Sequence, residues 1–196
     1  MVSPCLEFLE NLICSYKTDK NENHQKYRLV GTWIKAILNV ELKTFYPSPR
    51  EAKADIFIES PKAALIIEFK TFKSGEFNIE YLKKGCKKVL LLFGDGKINI
   101  ANGKPKNRAG DGIGQIKVYF YKTPSVSHKP VYSTLTNGRI WVFFKFNRQN
   151  LGKINHCEIL DAFDISNPED CYNFIGFIKN LFEGKEVKRY YNLEII

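Results

Sequence analysis

Two short apolar segments on either side of a Ser-Pro-Lys-Ala sequence constrain the fold of this chain more than any other feature. They span residues 54–59 and 64–70, and both are rich in isoleucine and phenylalanine. Pro61 suits the second position of a type I turn and is excluded from the positive-φ turns that close two-residue hairpins. The sequence therefore predicts two antiparallel strands joined by the four-residue loop 60–63.

The symmetry of this loop about Pro61-Lys62 predicts the strand register. Glu59 is expected opposite Ala64 and, further along, Asp55 opposite Glu68, with about 5 Å between opposed Cβ atoms. Side chains alternate between the two faces of a sheet, so Asp55, Glu68 and Lys70 share one face. The apolar face carries Ile56, Ile58, Leu65, Ile67 and Phe69. We therefore expect one face to be buried and the other to be free for chemistry.

Two carboxylates at this separation repel each other unless a cation lies between them. A divalent cation that prefers oxygen ligands, such as Mg²⁺, satisfies both. Lys70, one step beyond Glu68, would promote attack by water or stabilise developing negative charge. The alternative is that Asp55 and Lys70 are ordinary strand-end charges that form a surface pair, since Glu-x-Lys sequences recur elsewhere in the chain.

Two further motifs follow in the sequence. The glycine-rich segment 110–114 precedes Gln115-Ile-Lys-Val-Tyr119, which we predict to be a short helix with Gln115 and Tyr119 on one face. The segment Thr136-Asn-Gly-Arg-Ile-Trp141 places Asn-Gly between two apolar runs, the pattern of a β-hairpin. The predicted order is thus helix, strand, strand with Asp55, strand with Glu68, helix with Gln115, and strand.

In this order of motifs the chain resembles the PD-(D/E)xK nuclease superfamily, and most closely the N-terminal nuclease domain of type I restriction enzyme R subunits. The resemblance extends over roughly residues 20–185 and implies an α/β fold. That fold is a restriction-endonuclease-like core with a central mixed β-sheet flanked by helices. It also implies a Mg²⁺-dependent endodeoxyribonuclease that hydrolyses phosphodiester bonds, with Mn²⁺ as a substitute metal. Ala54 replaces the proline for which the superfamily is named.

The resemblance also assigns roles to residues. Asp55, Glu68 and the backbone carbonyl of Phe69 would hold the metal, and Lys70 would act on the water. Gln115 and Tyr119 would orient the substrate phosphate or the lysine. The superfamily usually adds a glutamate from the first core helix, for which Glu22 is the candidate metal ligand; a solvated helix-cap residue is the alternative for Glu22.

Charge and composition fit a nucleic-acid substrate. The net charge of +9 favours binding of DNA or RNA. Basic residues of an insert at about 72–114 and of the following helix are candidates for phosphate contacts with little base preference: Lys104, Lys106, Arg108 and Lys117. A solvated basic surface is the alternative interpretation.

The same composition argues against several other classes of protein. No apolar run approaches the length of a transmembrane helix, and no secretory signal is recognisable, so we expect a cytoplasmic protein, or a nuclear one in a eukaryote. The five cysteines include no Cys-x-x-Cys pair, and we expect buried free thiols. We expect one domain over residues 1–196.

Helices are predicted at both ends of this domain. One spans Pro4 to Tyr16 with an apolar stripe at Leu6, Leu9, Leu12 and Ile13. Another begins at Ser166-Asn-Pro-Glu169, which has the pattern of a capping box, and runs to about Glu183. Its predicted core stripe is Tyr172, Ile175, Ile178, Leu181 and Phe182. The final segment, Val187 to Ile196, is expected to be a strand or an ordered tail.

Two functions of different class remain open at this stage. One is the DNA endonuclease; the other is a catalytically silent module of the same fold that binds nucleic acid or a partner protein. The chain contains no Gly-x-x-x-x-Gly-Lys-Ser/Thr phosphate loop, so ATP-driven translocation is not expected of it. A motor or specificity subunit and a second copy of the chain are candidate partners.

Overall fold

A computed structural model describes residues 4–18, 29–38, 43–45, 55–69, 129–146, 156–185, 187 and 191–194 of the chain. These residues form three helices and seven strands. The helices are α1 (Pro4–Thr18), α2 (Gly31–Leu38) and α3 (Pro168–Phe182). The strands are β1 (Lys43–Phe45), β2 (Ile56–Glu59), β3 (Ala64–Phe69), β4 (Val131–Thr136), β5 (Ile140–Phe146), β6 (His156–Asp164) and β7 (Tyr191–Glu194).

All seven strands belong to one mixed sheet in which they lie in sequence order. The pair β3–β4 is parallel, whereas the other neighbouring pairs are antiparallel. Parallel neighbours need a crossover connection, which agrees with the long segment between Phe69 and Val131. The predicted α/β class, with a central mixed sheet and helices packed against it, is confirmed.

The three helices pack on one face of the sheet through an aromatic cluster. The Phe174 ring of α3 lies at its centre, with centroid distances of 5.3 Å to Trp33, 5.0 Å to Trp141 and 5.8 Å to Phe163. Trp33 also stacks on Phe8 of α1 at 4.1 Å. Such pairs add to the free energy gained from apolar burial, so α1, α2 and α3 are joined to the central strands by one core.

The predicted terminal helix is present, but its buried stripe is different. Cys5, Phe8, Leu9 and Leu12 are buried, whereas Leu6 and Ile13 are 37% and 39% exposed. The buried set follows the i, i+3, i+4, i+7 spacing of one helix face, which the predicted set did not.

The second predicted terminal helix begins one residue later than the capping-box pattern suggested. Asn167 is the N-cap and its side chain accepts a hydrogen bond from Glu169 N at 2.9 Å. Ser166 instead donates its hydroxyl to Asp164 Oδ1 at 2.6 Å. Tyr172 is 80% exposed rather than in the core. Phe174 and Phe177 are buried in addition to the predicted Ile178, Leu181 and Phe182.

The prediction of free thiols is wrong for two of the cysteines. Cys5 of α1 and Cys171 of α3 form a disulfide with a Cα–Cα distance of 6.1 Å. Their separation of 166 residues in the sequence gave no indication of this pairing. The bond forms because the same aromatic core brings the first turns of α1 and α3 together. Cys14 is exposed and lies outside this disulfide.

None of the helices in the described part of the chain has the length and apolar character that a membrane crossing requires.

Two aspartates near the end of β6 have pKa shifts of opposite direction. Burial raises the pKa of Asp164, but hydrogen bonds from Arg139 and Ser166 outweigh this and hold it below its usual value. Burial raises the pKa of Asp161, and the charge of Asp170 adds to the effect, while a hydrogen bond from Ala162 N opposes it.

These pKa shifts predict that replacing each aspartate by uncharged asparagine has opposite effects on stability. The lowered pKa of Asp164 contributes stability above the unfolded value of about 3.9, and this is lost as pH falls through the folded pKa. The raised pKa of Asp161 favours the fold below about 3.9, and that benefit is lost as pH rises through the folded pKa. At pH 7, Asp164→Asn should therefore lower the melting temperature and Asp161→Asn should raise it, each by about 2–4 °C.

Thermal unfolding of both variants between pH 7 and pH 3 checks this expectation. Both differences from the wild type should shrink as the pH falls and the aspartates become protonated. Two variants that shift the melting temperature in the same direction at pH 7 would show that the assigned environments are wrong.

Candidate active site

The hairpin predicted around Pro61 is present with the predicted register. Glu59 pairs with Ala64, Phe57 with Ile66 and Ile56 with Ile67. Ser60 forms the loop, since its N–H donates to the Ala63 carbonyl at 2.9 Å. Its hydroxyl also accepts from Ala63 N at 3.1 Å. The side chain that opens the loop therefore sets its length, and with it the register of β2 and β3.

The loop end of the hairpin is also held from outside. Lys129, just before β4, donates to the Ser60 carbonyl at 2.7 Å and forms an ion pair with Glu59. Both charged side chains are largely buried, at 14% and 23% exposure. This contact ties the β2–β3 loop to the start of the parallel strand β4.

At the opposite end of the hairpin, the backbone of β3 holds the predicted metal ligand Asp55. Its Oδ2 atom accepts a hydrogen bond from Phe69 N at 2.8 Å. Continuing the register by one residue beyond the Ile56–Ile67 pair brings Asp55 opposite Glu68. Asp55 is half-buried. Its carboxylate is therefore oriented by β3, as a fixed ligand would be, and is not a fully solvated charge.

Glu68 is far more buried than the sequence suggested. It is 2% exposed, and all six residues of β3 are buried. The expectation that one face of this strand is open is wrong, because β3 is an interior strand of the sheet and both of its faces are covered. An ionised carboxylate at such a position costs several kcal/mol unless hydrogen bonds or a cation compensate it.

The donor set at this end of the hairpin fits a hard divalent cation. Asp55 and Glu68 supply carboxylate oxygens, and the carbonyl of Phe69 lies in the same stretch of β3. Oxygen donors of these kinds are the ligands that Mg²⁺ takes in proteins. In the described part of the chain, no three His, Cys, Asp or Glu residues are grouped for metal binding. The predicted metal site uses only two such side chains from the described residues, those of Asp55 and Glu68.

The remaining predicted site residues lie outside the described residues. These are the catalytic candidates Lys70, Gln115 and Tyr119, the metal candidate Glu22, and the basic residues Lys104, Lys106, Arg108 and Lys117. The insert at 72–114 also lies outside them. The structure thus brings together Asp55, Glu68 and Phe69 and leaves the other assignments as predictions.

The predicted Asn-Gly hairpin is present and ends beside this site. Because β3 and β4 are parallel, Glu68 pairs with Leu135 and Phe69 with Thr136, so the turn 137–139 follows directly. Asn137 stands at the first position of the turn, where its Oδ1 accepts from Arg139 N at 3.0 Å and from Ile140 N at 2.8 Å.

Two further hydrogen bonds fix Gly138. Thr136 Oγ1 accepts from Gly138 N at 2.9 Å, and Trp141 Nε1 donates to the Gly138 carbonyl at 3.0 Å. Gly138 has φ +92°, a conformation that favours glycine. The motif Thr-Asn-Gly-x-x-Trp is therefore a network that fixes one turn at the end of β4.

Gly138 also lies at a close contact between α1 and β3, which sequence reasoning missed. A Cβ atom built on Gly138 would overlap the Leu12 Cδ2 methyl group and would lie 3.5 Å from Phe69 Cε2. Leu12 and Phe69 are both fully buried. The glycine in the motif was the only sequence signal of this packing, and nothing in the sequence identified Leu12 as its partner.

A groove between the three helices is separate from the candidate site. Its volume is about 530 Å³, and its lining comes from α1, α2 with the preceding Leu29, and α3. It includes Phe8, Trp33 and Ile175, with Glu7 and Lys179 among the polar residues. None of the predicted site residues lines it.

Comparison of the chain with protein-family models, with curated proteins and with solved structures finds no match.

Proposed function

We propose that this chain is a Mg²⁺-dependent DNA endonuclease with a restriction-endonuclease-like core. The observation that carries the proposal is the pair of carboxylates at the end of the β2–β3 hairpin. Asp55 is oriented by a hydrogen bond from Phe69 N, and Glu68 beside it is almost completely buried. A surface ion pair needs neither the burial of Glu68 nor the backbone contact of Asp55, whereas a metal site uses both.

The arrangement of the elements supports the same proposal. A helix, a strand, the Asp55 strand, the Glu68 strand and a later strand that follows a long connection occur in the order that the resemblance requires. They form a central mixed sheet with helices against it. Both carboxylates lie at the same end of the central strands, where a substrate phosphate and a metal would meet.

In this proposal Asp55, Glu68 and the carbonyl of Phe69 would hold Mg²⁺, and Glu22 would be a further ligand. The metal would act as a Lewis acid toward the phosphate and lower the pKa of water. Lys70 would act on the attacking water or stabilise the negative charge that develops on the phosphate. Gln115 and Tyr119 would orient the phosphate or the lysine.

The proposed substrate is DNA, as the resemblance implies, and the net charge of +9 favours a polyanion such as DNA or RNA. Lys104, Lys106, Arg108 and Lys117 would contact its backbone. We propose that the enzyme acts inside the cell, in the cytoplasm or, in a eukaryote, in the nucleus. A motor or specificity subunit and a second copy of the chain are the proposed partners.

Cleavage of supercoiled plasmid tests the proposal. Purified protein is incubated with Mg²⁺, Mn²⁺ or EDTA, beside the variant Asp55→Asn. Asparagine keeps an oxygen that can accept from Phe69 N but loses the charge, so the local structure is retained while metal affinity falls. We expect metal-dependent nicking by the wild type and a reduction of about 10²-fold or more in the variant.

Two other results of this assay would contradict the proposed active site. Nicking that is equal in the two proteins would place the chemistry elsewhere in the chain. Salt-sensitive DNA binding by both proteins, without cleavage by either, would instead identify a catalytically silent binding module.

A further inference from the structure

The turn that follows β4 lies beside the side chain of Phe69, the residue whose backbone N–H binds Asp55. Phe69 contributes its N–H to Asp55 on one side, while its ring lies 3.5 Å from the position that a Cβ atom of Gly138 would occupy. Leu12 of α1 fills the space directly above Gly138. The three residues thus form one continuous contact from α1 through the turn to the end of β3.

We propose that Gly138 and Leu12 are positioning residues for the candidate metal site. They set the place of the Phe69 ring, and through it the amide that orients the Asp55 carboxylate beside Glu68. For catalysis this inference rests on the proposed function, but its structural part concerns only the hydrogen bond between Phe69 N and Asp55.

The packing leaves little freedom for this contact to adjust. Leu12, Phe69 and Trp141 are fully buried, and hydrogen bonds from Gly138 N and to its carbonyl hold the turn. Interiors of this density transmit a displacement to their neighbours and do not absorb it. A methyl group on Gly138 must therefore shift Leu12, the turn or Phe69, and a shift of about 1 Å at a reacting site can cost about 10²-fold in rate.

Gly138→Ala tests this inference, with Gly184→Ala as the matched control. Gly184 also has a positive φ, of +71°, but a Cβ there would meet only the Lys62 side chain at an ordinary 3.5 Å. It follows α3 and lies by the loop of the β2–β3 hairpin, at the end opposite Asp55. The control therefore carries the backbone strain without the contact to Phe69.

The first readout does not depend on nuclease activity. Exchange of the Phe69 amide proton with deuterium, followed by NMR at a fixed pH, should report its hydrogen bond to Asp55 in the wild type and should be faster in Asp55→Ala. We expect Gly138→Ala to show at least half of that increase in exchange rate and Gly184→Ala to show none. The double variant Leu12→Ala/Gly138→Ala, in which the overlap is removed, should recover part of the protection.

The second readout is plasmid cleavage as a function of Mg²⁺ concentration, measured well below the melting temperature of each variant. Gly138→Ala should reduce the rate about 10²-fold and raise the Mg²⁺ concentration required, and Gly184→Ala should do neither. If the wild type does not cleave, the proposed function fails, and the exchange rate of the Phe69 amide alone decides the positioning role.

A second pair of variants covers the case in which Gly138→Ala does not fold. Leu12→Ala removes the group above Gly138, whereas Leu9→Ala removes an equally buried leucine of the same helix. Only Leu12→Ala should alter the exchange rate of the Phe69 amide. A folded Gly138→Ala or Leu12→Ala protein with the wild-type exchange rate would overturn the proposal, as would an equal change in either control.

Discussion

Replacing Glu68 by glutamine is expected to reduce Mg²⁺-dependent DNA cleavage by about 10³-fold while the chain still folds. Glutamine has nearly the shape of glutamate and keeps one of its oxygens, so the interior of the sheet at β3 can accommodate it. It lacks the negative charge, and a divalent cation then loses one of the two carboxylates that the described residues offer it. If position 68 required only a buried polar group of this size, Glu68→Gln would leave cleavage unchanged.

Thermal unfolding at increasing Mg²⁺ concentration measures the loss of Mg²⁺ binding without relying on nuclease activity. A ligand that binds only the folded state raises its stability, by about 2.7 kcal/mol at a hundred times its dissociation constant. The melting temperature of the wild type should therefore rise with Mg²⁺, and that of Glu68→Gln should not.

Glu59→Gln is the matched control for this experiment. Glu59 lies in the same hairpin but at its loop end, where it pairs with Lys129. Its substitution should lower stability by the loss of that ion pair and leave both the Mg²⁺ response and cleavage intact. An equal loss of the Mg²⁺ response in the two variants would indicate that the hairpin was distorted and that Glu68 is not a ligand.

Removal of the Cys5–Cys171 disulfide is expected to have the largest effect on stability. In the chain-entropy model, a cross-link between residues 166 positions apart stabilises the fold by about 5 kcal/mol. For a chain of this length, that corresponds to a decrease of roughly 10–20 °C in the melting temperature. The effect should be the same for reduction by dithiothreitol and for Cys5→Ser.

Two measurements distinguish loss of the Cys5–Cys171 disulfide from the loss of another thiol. Peptide mapping before and after reduction shows whether Cys5 and Cys171 are linked, and Cys14→Ser controls for the loss of an exposed thiol. A wild-type melting temperature that does not change with dithiothreitol, in protein whose linked peptide is present, would contradict the expected stabilisation.

The disulfide also bears on the intracellular setting that we propose. Most cytosols keep cysteines reduced, so the stability of the reduced protein is the value that applies there. The stacking of Phe8 on Trp33 does not involve the disulfide, and we expect it to hold α1 against α2 after reduction. Cleavage assays with and without dithiothreitol should therefore accompany the plasmid experiment.

Local chemistry made the hairpins predictable. Proline at position 61 limits the turn, Ser60 bonds to its own loop, and the alternation of side chains then orients Asp55 and Glu68 without reference to distant residues. The Asn-Gly signal likewise identified the β4–β5 hairpin, although Asn137 occupies the first position of the turn and not a central one.

Burial was predicted less well because it depends on what packs against each strand and helix. Glu68 was expected on an open face, yet it lies in an interior strand of a seven-stranded sheet. Leu6, Ile13 and Tyr172 were placed on core stripes and are exposed. Amphipathic spacing identifies a helix well, but the exact buried face depends on the neighbours that the helix meets.

Residue spacing and turn chemistry were thus sufficient for the register of β2 and β3, which brings Asp55 opposite Glu68, and for the β4–β5 hairpin. These are short-range properties, set by residues within a few positions of each other. The disulfide, the aromatic cluster and the contact of Leu12 with Gly138 and Phe69 join residues more than a hundred positions apart or in different elements. Such contacts follow from how the packed elements fit together, and no local pattern in the chain encodes them.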